Sequence, residues 1–419
     1  MCSFLITTKE LTNIDNLNRR LKRRGPDSTS VSKISNFNIV HNLLHITGEK
    51  TTQPFIKDNS CMVYNGEIYG YCNSYPSDGP YLFNQLCKDM HLKEIIGEYS
   101  GVFIDKGCLY LFADLFNTKP MFYSHENGEI GISSYHGVLQ DLGFNNINKM
   151  ANNSILNLKT NKADSIYSLN VEQHIDSFDL WEKSFLECLD ALIPADRCFM
   201  GISSGYDSGA IALGCKLLNK NVHYFSIPKN ESKSILDERD KYLGKVNFVE
   251  TNNLIINKHH NLIDIFGDNY IFNKDYYNYK SDKASIGLSI ICEEAKKYSR
   301  NILISGAGCD EIMSDYGIHG RCVQNNSTLN GIFPKNLDEI FPWNNFFHGS
   351  QEKYLYKEES VCGVHGVEAR YPFLNINVVQ NFLNIKPELK NKNYKSPIHN
   401  FFKKHKFPFE ENIKRGFNI

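Results

Sequence analysis

No apolar run in the 419-residue sequence reaches the length needed to span a bilayer. The opening Met1 to Ile6 stretch is too short and wrongly flanked for a secretory signal. Twelve cysteines are scattered along the chain, with no CxxC pair and no Cys/His cluster at zinc spacing. A disulfide framework is not expected in so large a chain without a secretory signal, and reduced thiols in a cytoplasmic protein are. Strong charge of either sign is lacking too. The formal net charge is -1, so no global field draws the protein to nucleic acid or an anionic membrane. Its basic clusters, Arg19-Arg20, Lys22-Arg23-Arg24 and Lys403-Lys404, are short and read as solvated faces. Repeats and low-complexity tracts are missing as well. What remains is a globular composition, 41% hydrophobic and 22% charged, in a chain long enough for two domains.

Two patterns divide the chain. The first 160 or so residues read as short strands between polar turns, with candidates at 60–64, 101–104, 108–112 and 131–133. The first of these ends in Asn65-Gly66, a strong turn signal. Residues 15–24 and 81–88 look helical. After a polar, turn-rich stretch at 161–174, apolar residues recur at helical spacing: Phe178, Trp181, Phe185, Leu189 and Leu192. A strand at 198–202 then breaks into Ser203-Ser204-Gly205, followed by a helix at 208–218 and strands at 222–227 and 301–304. Strand, small-residue turn and helix in alternation predict a parallel sheet with crossover helices. The expected fold is an α+β layered domain at 1–165 followed by an α/β domain at 175–419.

Cys2 carries the sharpest chemical implication. Removal of Met1 would leave a cysteine bearing its own α-amine, so nucleophile and proton acceptor lie on one residue. Cleaving a carboxamide also needs donors for the oxyanion. Asn65 offers a side-chain NH2, and the Gly66 N–H stands beside it with no Cβ in the way. Asp78 could grip a substrate α-ammonium, and Gly25-Pro26 would shape a loop over the pocket. Taken alone, Asn65-Gly66 reads as a hairpin turn.

The second half holds a different device. Ser203-Ser204-Gly205-Tyr206-Asp207-Ser208 lies between strand and helix, where small residues let backbone N–H groups form an anion nest at a helix start. Asp207 can reach a magnesium ion held between phosphates. Read alone, the segment is an N-capped helix with Ser208 as a capping residue.

Together these segments resemble the asparagine-synthetase-type glutamine amidotransferases, which join an Ntn glutaminase domain of αββα layers to an ATP-pyrophosphatase domain. The resemblance rests on Cys2, Arg24-Gly25-Pro26-Asp27 (RGPD), Asn65-Gly66-Glu67-Ile68-Tyr69 (NGEIY) and Ser77-Asp78. The stretch 113–123 resembles the family's RDxxGxKPLYY, with Ala113 for Arg and Asn117 for Gly. In the second half, Ser203 to Ser208 resembles the SGGxDS pyrophosphate loop, with Ser204 for one Gly. Ser305 to Glu311 resembles SGxGxDE, and 366–374 matches GVEARxPFL, with Asn375 where the family has Asp. Lys395 to His399 resembles KxPLR, and 414–417 the closing K-x-GF.

The resemblance implies a glutamine-dependent amide ligase. Cys2 would be the nucleophile, Asn65 and Gly66 the oxyanion hole, and Glu67 and Asp78 contacts to glutamine. ATP would lie on Ser203, Ser204, Gly205, Asp207, Ser208, Ser305 and Gly306, with Mg2+ on Asp207 and Asp310. Lys395 would stabilise the α-phosphate during adenylation of a carboxylate, with AMP and pyrophosphate released. Ammonia would cross an internal, largely apolar passage, because protonation in bulk water destroys its nucleophilicity. The implied partners are glutamine and a small carboxylate acceptor, without nucleic acid or membrane, and a homodimer is a possible assembly.

Four departures bear on this expectation. Leu43 stands where the family's glutamine-carboxylate arginine is expected, so either another cation, Lys50 or Arg24, does the work or glutamine binds weakly. Ala307 replaces the glutamate of SGxGxDE, and His399 replaces the arginine of KxPLR. Around Lys283 the acceptor-pocket helix departs from the synthetase pattern too, and this lysine either faces an acidic substrate or is an ordinary surface residue. An acceptor other than free aspartate is therefore expected. Two further readings remain open: an adenylating amide synthetase that uses another amine, which intact Cys2 argues against, and a homologue without amidotransferase activity acting as scaffold or storage.

Overall fold

The computed structural model describes residues 2–71, 74–90, 92–194, 196–270, 278–323 and 327–416, so Met1 and Phe417 lie outside it. The chain packs as two compact units. One holds Met1–Ser168, Asn261–Lys280 and Glu359–Glu368, and the other holds Leu169–His260, Ser281–Glu358 and Ala369–Ile419. Packing thus gives the first unit two segments from the second half of the sequence, where contiguous boundaries would not place them.

The first unit contains two six-stranded sheets. One runs Asn148–Lys149, Phe122–Glu126, Glu129–Ser133, Ser3–Thr7, Phe37–Leu43 and Ser28–Ile34. Its edge strand Ser28–Ile34 alternates half-buried with exposed residues, whereas Ser3–Thr7 in the interior is buried throughout. The other sheet runs Lys162–Ser165, Ser154–Asn157, Cys108–Ala113, Gly97–Asp105, Ser60–Ile68 and Phe55–Lys57. Phe4, Ile6 and Ile39 from the first sheet and Val63, Val102 and Leu111 from the second form one apolar core. Helix Ile14–Arg24 is started by Asn13, whose side chain accepts from the Asn16 N–H, and ends in Lys22, Arg23 and Arg24 near its negative dipole end.

One expectation fails here. Asn65-Gly66 does not turn the chain. Ser60–Ile68 continues through both residues, pairing Asn65 with Ser100 and Gly66 with Tyr99. The glycine serves close approach instead: a Cβ at Gly66 would stand 2.1 Å from the Glu98 carbonyl oxygen.

The second unit is built on a five-stranded sheet in the order Val246–Phe248, Val222–Ser226, Cys198–Gly201, Ile302–Ile304 and Glu368–Arg370. The pairings of Cys198–Gly201 with both neighbours are parallel, as is Val222–Ser226 with Val246–Phe248. From Cys198–Gly201 the chain winds outward to one side and later to the other. The strand order therefore reverses between Cys198–Gly201 and Ile302–Ile304, and ligands of such sheets bind beyond the carboxyl ends at that point. The loops 202–205 and 305–308 lie there. Trp181 stacks on Phe185 at 5.1 Å and Phe185 on Phe373 at 5.0 Å, joining helix Asp179–Leu192 to the turn Pro372–Leu374. Among the described residues no helix is long and apolar enough to cross a membrane.

Candidate functional site

Cys2 precedes strand Ser3–Thr7 and is buried. Its backbone N–H donates to Asn65 Oδ1 at 2.8 Å. With that oxygen engaged, Asn65 Nδ2 is buried with no hydrogen-bond partner among the described residues. A buried donor left unpaired costs about 1–3 kcal/mol, so its persistence marks a place where an acceptor is to arrive. Burial lifts the Cys2 thiol above its usual range. The amino-terminal charge and the Leu44 N–H oppose that rise, and Glu368 and Asp78 add to it. The resting group is a neutral thiol, which needs a base to attack.

Asp78 and Glu67 share the cavity with Cys2. Asp78 opens helix Asp78–Asp89 and accepts from the Ile68 N–H at 2.9 Å. Burial nevertheless holds its carboxyl above the usual range, against the Tyr64 hydroxyl and the Ile68 and Gly79 N–H groups. Glu67 accepts from the Thr47 hydroxyl. Arg24 is placed differently from its expected role. Its Nε donates to the Cys2 carbonyl at 3.0 Å, and its other nitrogens bond Glu359, to which Lys119 also pairs at 2.8 Å. It does not line the Cys2 cavity. Fully buried and paired, Arg24 anchors the backbone of Cys2 and is not placed to meet a ligand in the cavity.

In the second unit, the carboxylates of Asp207 and Asp310 converge on Lys395 Nζ, which stands 2.8 Å from Asp310 Oδ1. Lys414 Nζ meets the other Asp310 oxygen at 2.5 Å, and the Tyr394 hydroxyl donates to Asp310 at 2.9 Å. Burial alone would raise Asp310, but Lys395 and Lys414 hold it well below the usual carboxylate range. Lys395 takes a left-handed backbone, φ 47°, at the start of helix Ser396–His405. A strained conformation at a charged residue aims its side chain at the cluster.

The loop after Cys198–Gly201 is wired from within. Ser203 and Ser208 hydroxyls bond at 2.7 Å, Ser203 N–H donates to Ser208 Oγ at 3.0 Å, and Gly205 N–H to Ser203 Oγ at 3.1 Å. Arg239 donates to the Ser203 and Gly205 carbonyls, turning them inward, and Ser204 N–H donates to the Glu231 carboxylate at 2.7 Å. In the second loop a Cβ at Gly306 would lie 3.0 Å from Asp207 Cβ, so this glycine permits close approach of the loops. Ser305 Oγ donates to Glu358 and accepts from the Ala307 N–H at 3.1 Å. His399 lies 3.2 Å from the Tyr206 hydroxyl, and Lys283 is exposed at the start of its helix.

No family model matches the sequence. Two curated proteins do. One, named "Putative asparagine synthetase (glutamine-hydrolyzing) 1", from Methanocaldococcus jannaschii, is 25% identical over 404 residues, covering 85% of this chain and 71% of that protein. The other, "Probable asparagine synthetase (glutamine-hydrolyzing)" of Acanthamoeba polyphaga mimivirus, is 25% identical over 432 residues, covering 88% of this chain and 74% of its own. The chain resembles glutamine-hydrolysing asparagine synthetases over most of its length. A solved glutamine phosphoribosylpyrophosphate amidotransferase from B. subtilis covers 91% of this chain and 92% of its own at 10% identity, with a TM-score of 0.32, too distant to transfer chemistry.

Three residues around these sites escape a reading of the sequence. Glu231 sits on the loop, Arg239 lies beneath it, and Glu368, read with the nucleotide-half motifs, lines the Cys2 cavity. Only Arg239 left a signal. In helix Lys233–Leu243 it falls on the buried stripe with Ile235, Leu236 and Leu243.

Proposed function

We propose that this protein is a glutamine-dependent amide ligase. It hydrolyses glutamine at Cys2 and passes the ammonia to a carboxylate activated by ATP as an acyl-adenylate, releasing AMP and pyrophosphate. The observation that carries the reading is the orientation of Asn65. Its carbonyl oxygen holds the nitrogen that becomes the α-amine once Met1 is removed, and its amide nitrogen has no partner among the described residues. The amine then takes the thiol proton, Sγ adds to the carboxamide carbon, and Asn65 Nδ2 and the Gly66 N–H receive the oxyanion. Asp78 and Glu67 hold the substrate ammonium. Ammonia leaves with the proton returned by the amine, and water opens the thioester.

At the other site, the loop 203–208 and Ser305-Gly306 would receive the nucleotide phosphates, with the N–H groups of Ser203, Ser204, Gly205 and Ser305 held in the resting fold by Ser208, Glu231, Ser203 and the Arg370 carbonyl. Asp207 and Asp310 fit Mg2+, because both carboxylates already meet on one cation, Lys395. Among the described residues no group of three or more His, Cys, Asp or Glu side chains could hold a metal, so phosphate oxygens would complete the coordination. Bound magnesium supplies charge neutralisation on the phosphates. Lys395 contributes its charge to the α-phosphate as pyrophosphate departs. The acceptor is a small carboxylate, and Ala307 removes the side-chain base that aspartate amidation would draw on. A reading as scaffold without catalysis draws on one contact, the Glu231 carboxylate on the Ser204 N–H.

A screen of carboxylates, aspartate included, for glutamine-dependent AMP release tests the proposal. Activity lost in Cys2→Ala with glutamine but retained with ammonium chloride supports it. Retention of Met1 in the purified protein overturns it, as does absence of AMP with every acid.

A further inference from the structure

The cavity at Cys2 carries charge of one sign. Glu49, Glu67, Asp78 and Glu368 line it, and among the described residues no lysine or arginine does. The two cations buried near it, Arg24 and Lys119, lie outside the lining and are bonded to Glu359 and Glu98. Lys50, between the lining residues Glu49 and Thr51, is exposed and turns its Nζ to the Asp27 carbonyl at 3.3 Å. His45 holds the Gly48 carbonyl with its ring at 3.0 Å.

Neutral donors in the wall are occupied as well. The Thr47 hydroxyl bonds Glu67, Thr51 and Ser77 bond each other at 2.9 Å, and the Gln53 amide is closed onto the Tyr64 backbone at 2.7 and 3.1 Å. Leu43 adds a buried isobutyl group.

A free α-amino acid amide brings an ammonium and a carboxylate into this space. The ammonium meets four acids. The carboxylate must shed water beside like charge with no lysine or arginine of the described lining to pair it, a cost that falls on only one end of the substrate. Burial first, and the Glu368 charge after it, raise the Asp78 carboxyl.

We infer that the donor site selects its carboxamide through the α-ammonium alone, so that glutamine derivatives with a blocked α-carboxylate (an α-amide or α-ester) are donors at least as good as free glutamine. The inference rests on Cys2 being the amide-cleaving nucleophile of the proposed function. The bond changes are those of that reaction. An Sγ–C bond forms and the C–N bond of the γ-carboxamide breaks, ammonia leaves, and water releases the γ-carbonyl as a carboxylate with the α-block untouched.

The test compares kcat/KM for L-glutamine and L-glutamine α-amide on the full-length protein with Met1 removed. The γ-carboxylate product of each is quantified, with Cys2→Ala as the blank. A value for the α-amide equal to or above that for glutamine is expected. A higher value for free glutamine overturns the inference. Lys50→Ala is expected to leave the ratio of the two unchanged, and a selective loss with glutamine would show that Lys50 swings in as a carboxylate partner, which also overturns it. Leu43→Arg is expected to raise kcat/KM for glutamine at least tenfold relative to the α-amide. If neither compound turns over above the Cys2→Ala blank, the amidase reading itself falls, an outcome distinct from a preference for free glutamine.

Discussion

Replacing Asn65 with alanine separates the two things this side chain does. In the resting fold Oδ1 makes one hydrogen bond, to the Cys2 N–H at 2.8 Å, and Nδ2 makes none among the described residues. Losing the bond leaves the buried Cys2 N–H unpaired, at about 1–3 kcal/mol. Removing three side-chain atoms from a fully buried site costs roughly another 1–2 kcal/mol. Against this, removing an unpaired buried donor returns about 1–3 kcal/mol of desolvation. The two donor terms nearly cancel, and Asn65→Ala is expected to cost about 1–2 kcal/mol by urea unfolding. Catalysis has no such cancellation. Loss of one oxyanion donor lowers kcat by about 10²–10³, on the order of 3–4 kcal/mol. The assay is steady-state hydrolysis of the carboxamide donor, with ATP affinity measured alongside as a control on the other unit. A fall of less than tenfold refutes the oxyanion assignment. So does a loss of activity matched by more than about 3 kcal/mol of stability, because Asn65 would then be a structural residue whose amide nitrogen has a partner after all.

Other consequences follow from neighbouring groups. Gly66→Ala puts a Cβ 2.1 Å from the Glu98 oxygen and 2.7 Å from Tyr99 Cα, so the Ser60–Ile68 ladder must open; a loss of at least about 2 kcal/mol is expected by thermal unfolding, and an unchanged midpoint contradicts it. His41 is fully buried beside the amino terminus, and burial first, then that charge, lowers its ring to about 3 from the ordinary 6.5. Because the unfolded chain binds this proton at a higher pH, the stability is present above about 6.5 and is lost as pH falls towards 3, on the order of 5 kcal/mol in all. Urea unfolding of His41→Gln between pH 7 and 4 is expected to show a shallower acid loss than the parent, and an equal slope would refute the assignment. Glu231→Gln removes a negative charge that accepts the Ser204 N–H, so magnesium pyrophosphate should bind about fivefold tighter by calorimetry, on the order of 1 kcal/mol; weaker binding would instead make Glu231 a support of the loop.

What could be read from the sequence follows the range of the interactions involved. Local patterns translate well. Residues 15–24, 81–88 and 208–218 read as helices and lie within or beside Ile14–Arg24, Asp78–Asp89 and Tyr206–Leu217, because each has its apolar period and end signals in one stretch of chain. Asn117, standing for a glycine, adopts φ 50°, a conformation asparagine tolerates better than other residues with a Cβ, so that substitution leaves the local shape intact. The Asn65-Gly66 pair misled for the converse reason. A glycine needed for close approach and a glycine needed for a turn look alike until the neighbouring strand is known. Long-range pairings left no trace at all. Arg24 meets Glu359 across 335 positions, and Lys119 meets the same carboxylate across 240. Neither separation has a period or a motif, and a basic run at 22–24 is written the same way whether its last residue faces solvent or is sealed against the Cys2 carbonyl. The cavity's charge was hidden for the same reason. Glu368 reaches it from the far end of the sequence, and only when it is set beside Glu49, Glu67 and Asp78 does the lack of a lining cation among the described residues become a property of the site rather than of one substituted residue, Leu43. A single replacement can be compensated by any nearby lysine, but a wall with four acids, paired hydroxyls and a closed amide leaves a substrate carboxylate no cationic side chain among the described lining residues. The preference for a blocked donor therefore depends on the assembled wall, and it would survive even if Leu43 alone were explained away.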